Sequence, residues 1–160
     1  MEKLLNWRRP DGDPLIGELK DLVEDTIIRE KGKGHELKIC IGTDSQVYGT
    51  DIHMATAIVF LRYKKGGFMF VSSDRITQKM GIRERMIKEV SRSIATAYQL
   101  CDLLDRYDVE LEVHADINTD PDFPSNVALK EATGYILGMG FKFKVKPDAF
   151  ASSSCADKMV

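Results

Sequence analysis

The clearest chemical signal in the chain is Lys38–Gln46, Lys-Ile-Cys-Ile-Gly-Thr-Asp-Ser-Gln. An apolar run through Ile39, Cys40 and Ile41 loosens at Gly42 and delivers Asp44 at its end. A carboxylate does not sit unpaired inside a core, so a buried strand ending in one holds it rigidly at the edge of a sheet. Alone, Asp44 could serve as a turn or cap residue, because Asp-Ser-Gln suits a bend. Joined by further carboxylates, it becomes part of a cage for a hard divalent cation such as Mg²⁺ or Mn²⁺, which takes oxygen ligands. Two such ions about 3.5–4 Å apart meet the needs of phosphodiester hydrolysis: a water turned nucleophile and a stabilised leaving oxygen.

The elements that must position such acids are legible from periodicity. Residues 1–13 read as an irregular lead-in, after which Asp13 caps a helix with Pro14 at its first position. That helix runs to about Ile28, with Leu15, Ile16, Leu19, Leu22, Val23, Thr26 and Ile27 on one face. Lys31-Gly-Lys-Gly34 ends it and lacks the spacing of a phosphate-binding loop. A first strand follows over Leu37–Thr43, a turn around Gly49, and a second strand over Ile52–Tyr63. Lys64-Lys-Gly-Gly67 is a hairpin turn into a third strand, Phe68–Ser72. The longest helical pattern spans Gly81–Asp105, with a stripe of Ile82, Met86, Val90, Ile94, Ala97, Tyr98, Cys101 and Leu104. Val109–Ala115 is a fourth strand, ending at Asp116, and Pro121–Pro124 is a loop. Asn126–Leu137 is a short helix stopped by Gly138 and Gly140. Phe141–Val145 is a fifth strand ended by Pro147, and Ser152–Val160 forms a last helical turn or two. The order is α, then βββ-α-β-α-β-α, a mixed α/β single domain. Residues 1–36 form a lead-in and helix packed on the body, 37–160.

Three antiparallel strands, a helix and then alternating strands and helices resemble the ribonuclease H fold. The strings Ile-Gly-Thr-Asp-Ser-Gln, Val-His-Ala-Asp-Ile and Ser-Ser-Ser-Cys-Ala-Asp-Lys look like the YkuK family of bacterial ribonuclease H-like proteins, over about Leu37 to Lys158. The resemblance implies a mixed five-stranded sheet flanked by helices, here with an extra N-terminal helix. It implies carboxylates on the first strand, the first helix after the hairpins, the end of the fourth strand and the C-terminal helix. Asp44, Glu89 (or Glu84), Asp116 and Asp157 stand at those places. By the same resemblance Asp44 would bridge two Mg²⁺ or Mn²⁺ ions with Asp116 beside it, while Glu89 and Asp157 would each complete one. The implied activity is a metal-dependent nuclease or phosphodiesterase acting on RNA, DNA or their hybrid. The alternative is a catalytically inactive domain of this fold that binds nucleic acid or a protein partner.

Local chemistry weighs each acid. Glu89 precedes Val90 and has small Ser93 four residues on, which lets the helix approach the strands. Glu84 has Lys88 four residues on, a typical solvated pair. Asp116 shares a strand face with His114 and Glu112, three polar groups at period two. His114 reads as a hydrogen-bonded histidine or a proton shuttle. Asp120 and Asp122 flank Pro121 as loop caps, and Asp148 follows Pro147 as a turn residue. For nucleic-acid contact the cations are Arg75, Lys79, Arg83 and Arg85, with Lys142, Lys144 and Lys146 alternating along the fifth strand. Lysines on an edge strand also guard against edge pairing.

Composition sets the outer limits. The 160 residues are 43% hydrophobic and 30% charged, ordinary for a globular chain with a real core. Cys40, Cys101 and Cys155 form no C-x-x-C pair, which argues against a zinc or disulfide framework, and Cys40 and Cys101 read as core thiols of a reducing cytoplasm. No signal peptide and no membrane-spanning run of roughly 20 apolar residues is expected. A net charge of −2 counts against a constitutive nucleic-acid binder, although basic residues can still gather on one face. Phosphotransfer of the sugar-kinase kind is disfavoured, because no glycine-rich phosphate loop follows Gly42-Thr-Asp44.

Overall fold

The apolar strand that begins at Leu37 does not stop at Thr43. In a computed structural model, which describes residues 6–117, 134, 137–138 and 141–160, β1 spans Leu37–Tyr48. It pairs antiparallel with β2 (Asp51–Arg62), and Gly49 takes the positive φ (+63°) that their tight turn demands. β2 pairs antiparallel with β3 (Gly66–Ile76), with Lys64 and Gly66 both at positive φ in the connection. After the long helix that packs on β1, β4 (Glu110–Ala115) lies parallel to β1, and β5 (Lys142–Lys144) lies parallel to β4. The sheet order is β3-β2-β1-β4-β5, which puts β1 at the centre.

A central strand covered on both sides must be apolar on both sides, and β1 and β2 are. One face presents Ile39, Ile41, Ile58, Phe60, Phe70 and Val113. It is covered by α1 (Leu19–Gly32) and α2 (Ile82–Arg106), which contribute Val23, Ile27, Ile94, Ala97, Leu100 and Leu104. The other face is thinner. There Cys40, Ala57 and Val59 meet Ala151 and Ala156 of a π-helical turn, Ala151–Ala156, which runs on into a 3₁₀ turn, Asp157–Met159.

Three expectations need correction. The first helix starts at Leu19, not Pro14, because Gly17 sits at φ +121°, outside the helical region. Residues before it form a strap instead. Arg8 exchanges backbone hydrogen bonds with Val71 on β3, Leu15 N–H donates to Trp7, and Trp7 is buried in the main core. Ile16, expected on the apolar face, is 90% exposed. On α2 the buried stripe runs through Met86, Val90, Ser93, Ala97, Leu100 and Leu104, which leaves Tyr98 exposed and Cys101 only half-buried. Asp44 does not end its strand, since antiparallel pairing with β2 carries β1 past it to Tyr48. The helix expected over 126–137 and the acids Asp120 and Asp122 lie outside the described residues, Gly134 and Leu137 excepted.

Candidate active site

Asp44 follows Thr43, the last residue of β1 paired with β4, and Asp116 follows Ala115, the partner of Thr43. Parallel register therefore brings the two acids level where the strands part. Side chains alternate along a strand, so Cys40, Gly42 and Asp44 share one face of the sheet with Glu112, His114 and Asp116. The C-terminal turns pack on that face, and Gly42 is the reason they can. A Cβ at Gly42 would stand 2.3 Å from the Ser152 nitrogen and 2.5 Å from the Ala151 carbonyl carbon. With backbone lying on backbone, the 3₁₀ turn puts the Asp157 side chain in hydrogen-bonding reach of Asp44. Ser153 Oγ donates to Asp116 Oδ1 at 3.0 Å, and Lys146 Nζ stands 3.0 Å from the same oxygen.

Glu89 arrives from the α2 side. Ser45, one step along β1 from Asp44, points that way, and its Oγ donates to Glu89 Oε1 at 2.6 Å. Deeper in, Thr43 Oγ1 lies 2.7 Å from Ser93 Oγ and 2.9 Å from Thr56 Oγ1. This buried hydroxyl chain pins α2 against β1 and β2, with small Ser93 allowing the approach. Glu84 is exposed near the start of α2.

Asp44 and Glu89 are only 6% and 3% exposed, so burial dominates their protonation. Burial pushes the Asp44 carboxyl up to about 8; the Asp157 hydrogen bond and the Asp116 and Asp157 charges add to it, against the pull of the Ser45 N–H at 2.9 Å. Burial also drives Glu89 well above the ordinary carboxylate range. The Ser45 hydroxyl opposes it, the charges of Asp44 and Asp116 reinforce it, and Arg85 opposes it more weakly. Such a group near neutral pH retains protons or accepts a cation.

Order β3-β2-β1-β4-β5, with three antiparallel strands and two parallel ones, is one half of the comparison with known proteins. The other is a match of residues 20–160 to the family model described as Ribonuclease H-like. The chain belongs to the ribonuclease H-like family. It is similar to the uncharacterized protein YkuK of Bacillus subtilis (strain 168), with 31% identity covering 75% of this chain and 77% of that one. The match takes in α1 nearly whole. No described helix of this ribonuclease H-like chain is long and apolar enough to cross a membrane.

Among the described residues, the potential ligands that gather most tightly are Cys40, Glu112 and His114, whose ligand atoms all lie within 4.8 Å of one another; the four acids stand further apart. Hydrogen bonding assigns this trio a different role. The Ala151 N–H donates to His114 Nδ1 at 3.1 Å, so Nδ1 carries the lone pair and the ring proton sits on Nε2, 3.3 Å from Glu112 Oε1. Burial lowers the His114 pKa and keeps the ring neutral. Burial also pushes the Cys40 thiol up to about 12, so two of the three donors hold protons. Burial alone would raise Glu112, but its bonds to Lys38 (2.7 Å) and His114 outweigh that and hold it below the usual carboxylate range. The relay Lys38–Glu112–His114–Ala151 thus anchors the C-terminal turns to the ribonuclease H-like sheet.

The expected cations are scattered. Arg75 is exposed and pairs with Asp51 at 3.5 Å, Lys79 is exposed, and Arg85 lies beside Glu89. On β5, the outermost strand of the described sheet, Lys142 pairs with Glu110 and Lys144 is exposed. Sequence reasoning passed over Gly42, Ser45 and Ser153 as parts of the site and took Lys146 for a nucleic-acid contact on the fifth strand, whereas it lies past that strand and pairs with Asp116. A glycine inside an otherwise buried strand was the available signal for Gly42, since it marks close backbone approach. The other three act through contacts that only the topology creates.

Proposed function

We propose that the protein is a divalent-metal-dependent phosphodiesterase acting on nucleic acid, with Asp44, Glu89, Asp116 and Asp157 as its working carboxylates. The observation that carries this reading is the approach of four acids from four separate parts of the chain, with Asp44 and Glu89 buried and driven toward protonation chiefly by that burial, their acidic neighbours adding to it. The donor set is four carboxyl groups, all oxygen, which fits Mg²⁺ or Mn²⁺ rather than a soft metal. Asp44 and Asp116 would hold the ions from the sheet, Glu89 from α2 and Asp157 from the last turn. When bound, such ions polarise a phosphoryl oxygen and make bound water acidic enough to attack at neutral pH.

The residues of the chain do the positioning. β1 fixes Asp44 where its pairing with β4 ends, and the Ser45 hydroxyl holds the Glu89 carboxylate against β1. Ser153 and Lys146 brace Asp116. Asp157, on the closing turn, hydrogen-bonds Asp44 and helps its carboxyl keep a proton, which must leave before Asp44 can bind a cation. A second reading, an inactive domain of the same fold, draws on the Lys146–Asp116 ion pair, because an ammonium at 3.0 Å neutralises an acid without catalysis.

The test is calorimetric titration of Mg²⁺ and Mn²⁺ into wild type and Asp44→Asn, with the same samples incubated with labelled RNA, DNA and RNA–DNA hybrid. Metal binding and cleavage should both be present in the wild type and vanish in the variant, cleavage by at least about a hundredfold. Metal binding without cleavage of any of the three supports the inactive domain. A folded wild type that binds no metal at millimolar concentration overturns the site.

A further inference from the structure

The face of the sheet that carries Asp44 is covered over only half its length. The C-terminal turns lie over Cys40, Gly42, Ala57 and Val59 and end beside Asp44. Beyond Asp44 and Ala55, which are buried, β1, β2 and β3 continue into side chains that meet solvent: Gln46, Tyr48 and Arg75 are exposed, and Asp51 and His53 are half-buried. Directly opposed residues share a face, so the register defines what the open half displays. The first row, Asp44, Ala55 and Ser73, is still buried at Asp44 and Ala55 and opens only at Ser73; the open rows are Gln46, His53 and Arg75, then Tyr48 and Asp51.

This composition is specific. Tyr48 is 51% exposed, with its ring centroid 4.7 Å from that of His53 at an interplanar angle of 60°, so the histidine buttresses a ring that still meets solvent. Arg75, 62% exposed, adjoins His53 and reaches Asp51 at 3.5 Å. Arg8, from the N-terminal strap, donates to Ser73 Oγ at 2.9 Å and borders the row that holds Asp44. Gln46 adds an exposed amide. Tyr48 stands about 13 Å along β1 from Asp44, four residues at strand rise.

We propose that this open half-face is a platform for single-stranded nucleic acid, with Tyr48 and His53 stacking on bases and Arg75 and Arg8 meeting phosphates as the strand runs toward Asp44. An exposed aromatic beside guanidinium groups on a sheet is the chemistry that takes unstacked bases and their backbone. A duplex keeps its base faces inside and offers none to Tyr48. The rows carry no aliphatic side chain beyond Ala55, so they lack the apolar centre of a protein interface. The direction of the strand rests on the phosphodiesterase reading of the acids; the binding itself does not.

The experiment measures binding of fluorescent oligo(dT) and oligo(U) of about twelve nucleotides, and of a duplex of equal length, by anisotropy in EDTA, so that nothing is cut. Tyr48→Ala should weaken single-strand binding about tenfold, and Tyr48→Phe should restore it. Arg75→Gln should weaken binding and flatten its salt dependence. Circular dichroism confirms that each variant is folded. A wild type that binds no single strand, or prefers the duplex, overturns the platform, as does unchanged affinity in folded Tyr48→Ala. Cleavage that depends on Asp44 while Tyr48→Ala binds normally removes the platform and leaves the phosphodiesterase. Binding that depends on Tyr48 without any cleavage does the reverse.

Discussion

The two faces of the central sheet are built by different means. On the helical face, α1, α2 and the N-terminal strap bury a thick apolar layer around Phe60, Ile41, Leu100 and Leu104, and Glu89 rides on that layer. On the other face a short C-terminal segment lies almost backbone to backbone on β1, with Ala151, Ala156 and Ala57 as the contact and Gly42 as the gap that admits it. Dispersion and hydrophobic burial scale with area, so the helical face supplies most of the stability. The thin face is held by position: the His114 relay to the Ala151 N–H and the bond from Ser153 to Asp116. One face keeps the fold and the other closes the acid cluster. The closing segment is therefore the part that can come loose without unfolding the rest.

Two substitutions should separate these roles. Leu100→Ala removes a fully buried side chain from the helical face and should cost about 2–5 kcal/mol of global stability in urea melts. Amide exchange throughout the sheet should speed up together. Gly42→Ala should cost less, about 1–3 kcal/mol, because the new methyl meets the Ser152 backbone and the last turns can lift away. Its signature should be local. Exchange of the Ala151 amide should accelerate and a carboxypeptidase should trim the chain end, while the Ile41 amide stays protected. If Gly42→Ala instead speeds exchange evenly across both faces, the contrast between core and clasp is wrong.

What the sequence reveals follows the same division. The apolar periods of β2 and α2 are long, so the hairpins and most of the helical face could be read directly, apart from Tyr98 and Cys101 on α2, while the arrangement of the sheet came from the family resemblance. The start of α1 could not be read, because Asp13-Pro14 carries a good capping signal that the positive φ of Gly17 overrides. β1 beyond Asp44 was hidden for another reason: Ser45-Gln46-Val47-Tyr48 mixes buried and exposed residues in a stretch that equally suits a bend. In the candidate site, the pairing of Asp44 with Asp116 on adjacent strands was implied by the resemblance, and the parallel register of β1 and β4 makes them level. The supports of Glu89 and Asp116, from Ser45, Ser153 and Lys146, could not be read, since each depends on a crossing of elements that no local pattern encodes.

A stability effect opposite in sign should come from the acids themselves, and that sign tells a functional cluster from a structural one. In the unfolded chain Asp44 ionises near its ordinary value of 3.8, whereas in the folded protein burial and its acidic neighbours push it up to about 8. The folded state therefore binds the Asp44 proton more tightly. The stability tied to that proton is fully present below pH 4 and is lost as pH rises toward 8. In EDTA, Asp44→Asn should be more stable than wild type at pH 8, on the order of 2 kcal/mol, with the difference shrinking toward pH 4. Adding Mg²⁺ at pH 8 should stabilise wild type and leave the asparagine variant unmoved, because a cation replaces the proton only where the carboxylate can form. A structural acid behaves oppositely: its loss destabilises at pH 8 and Mg²⁺ changes nothing. Urea midpoints for the two proteins at pH 5 and pH 8, each with and without the ion, distinguish these cases, and parallel pH profiles would remove Asp44 from the site.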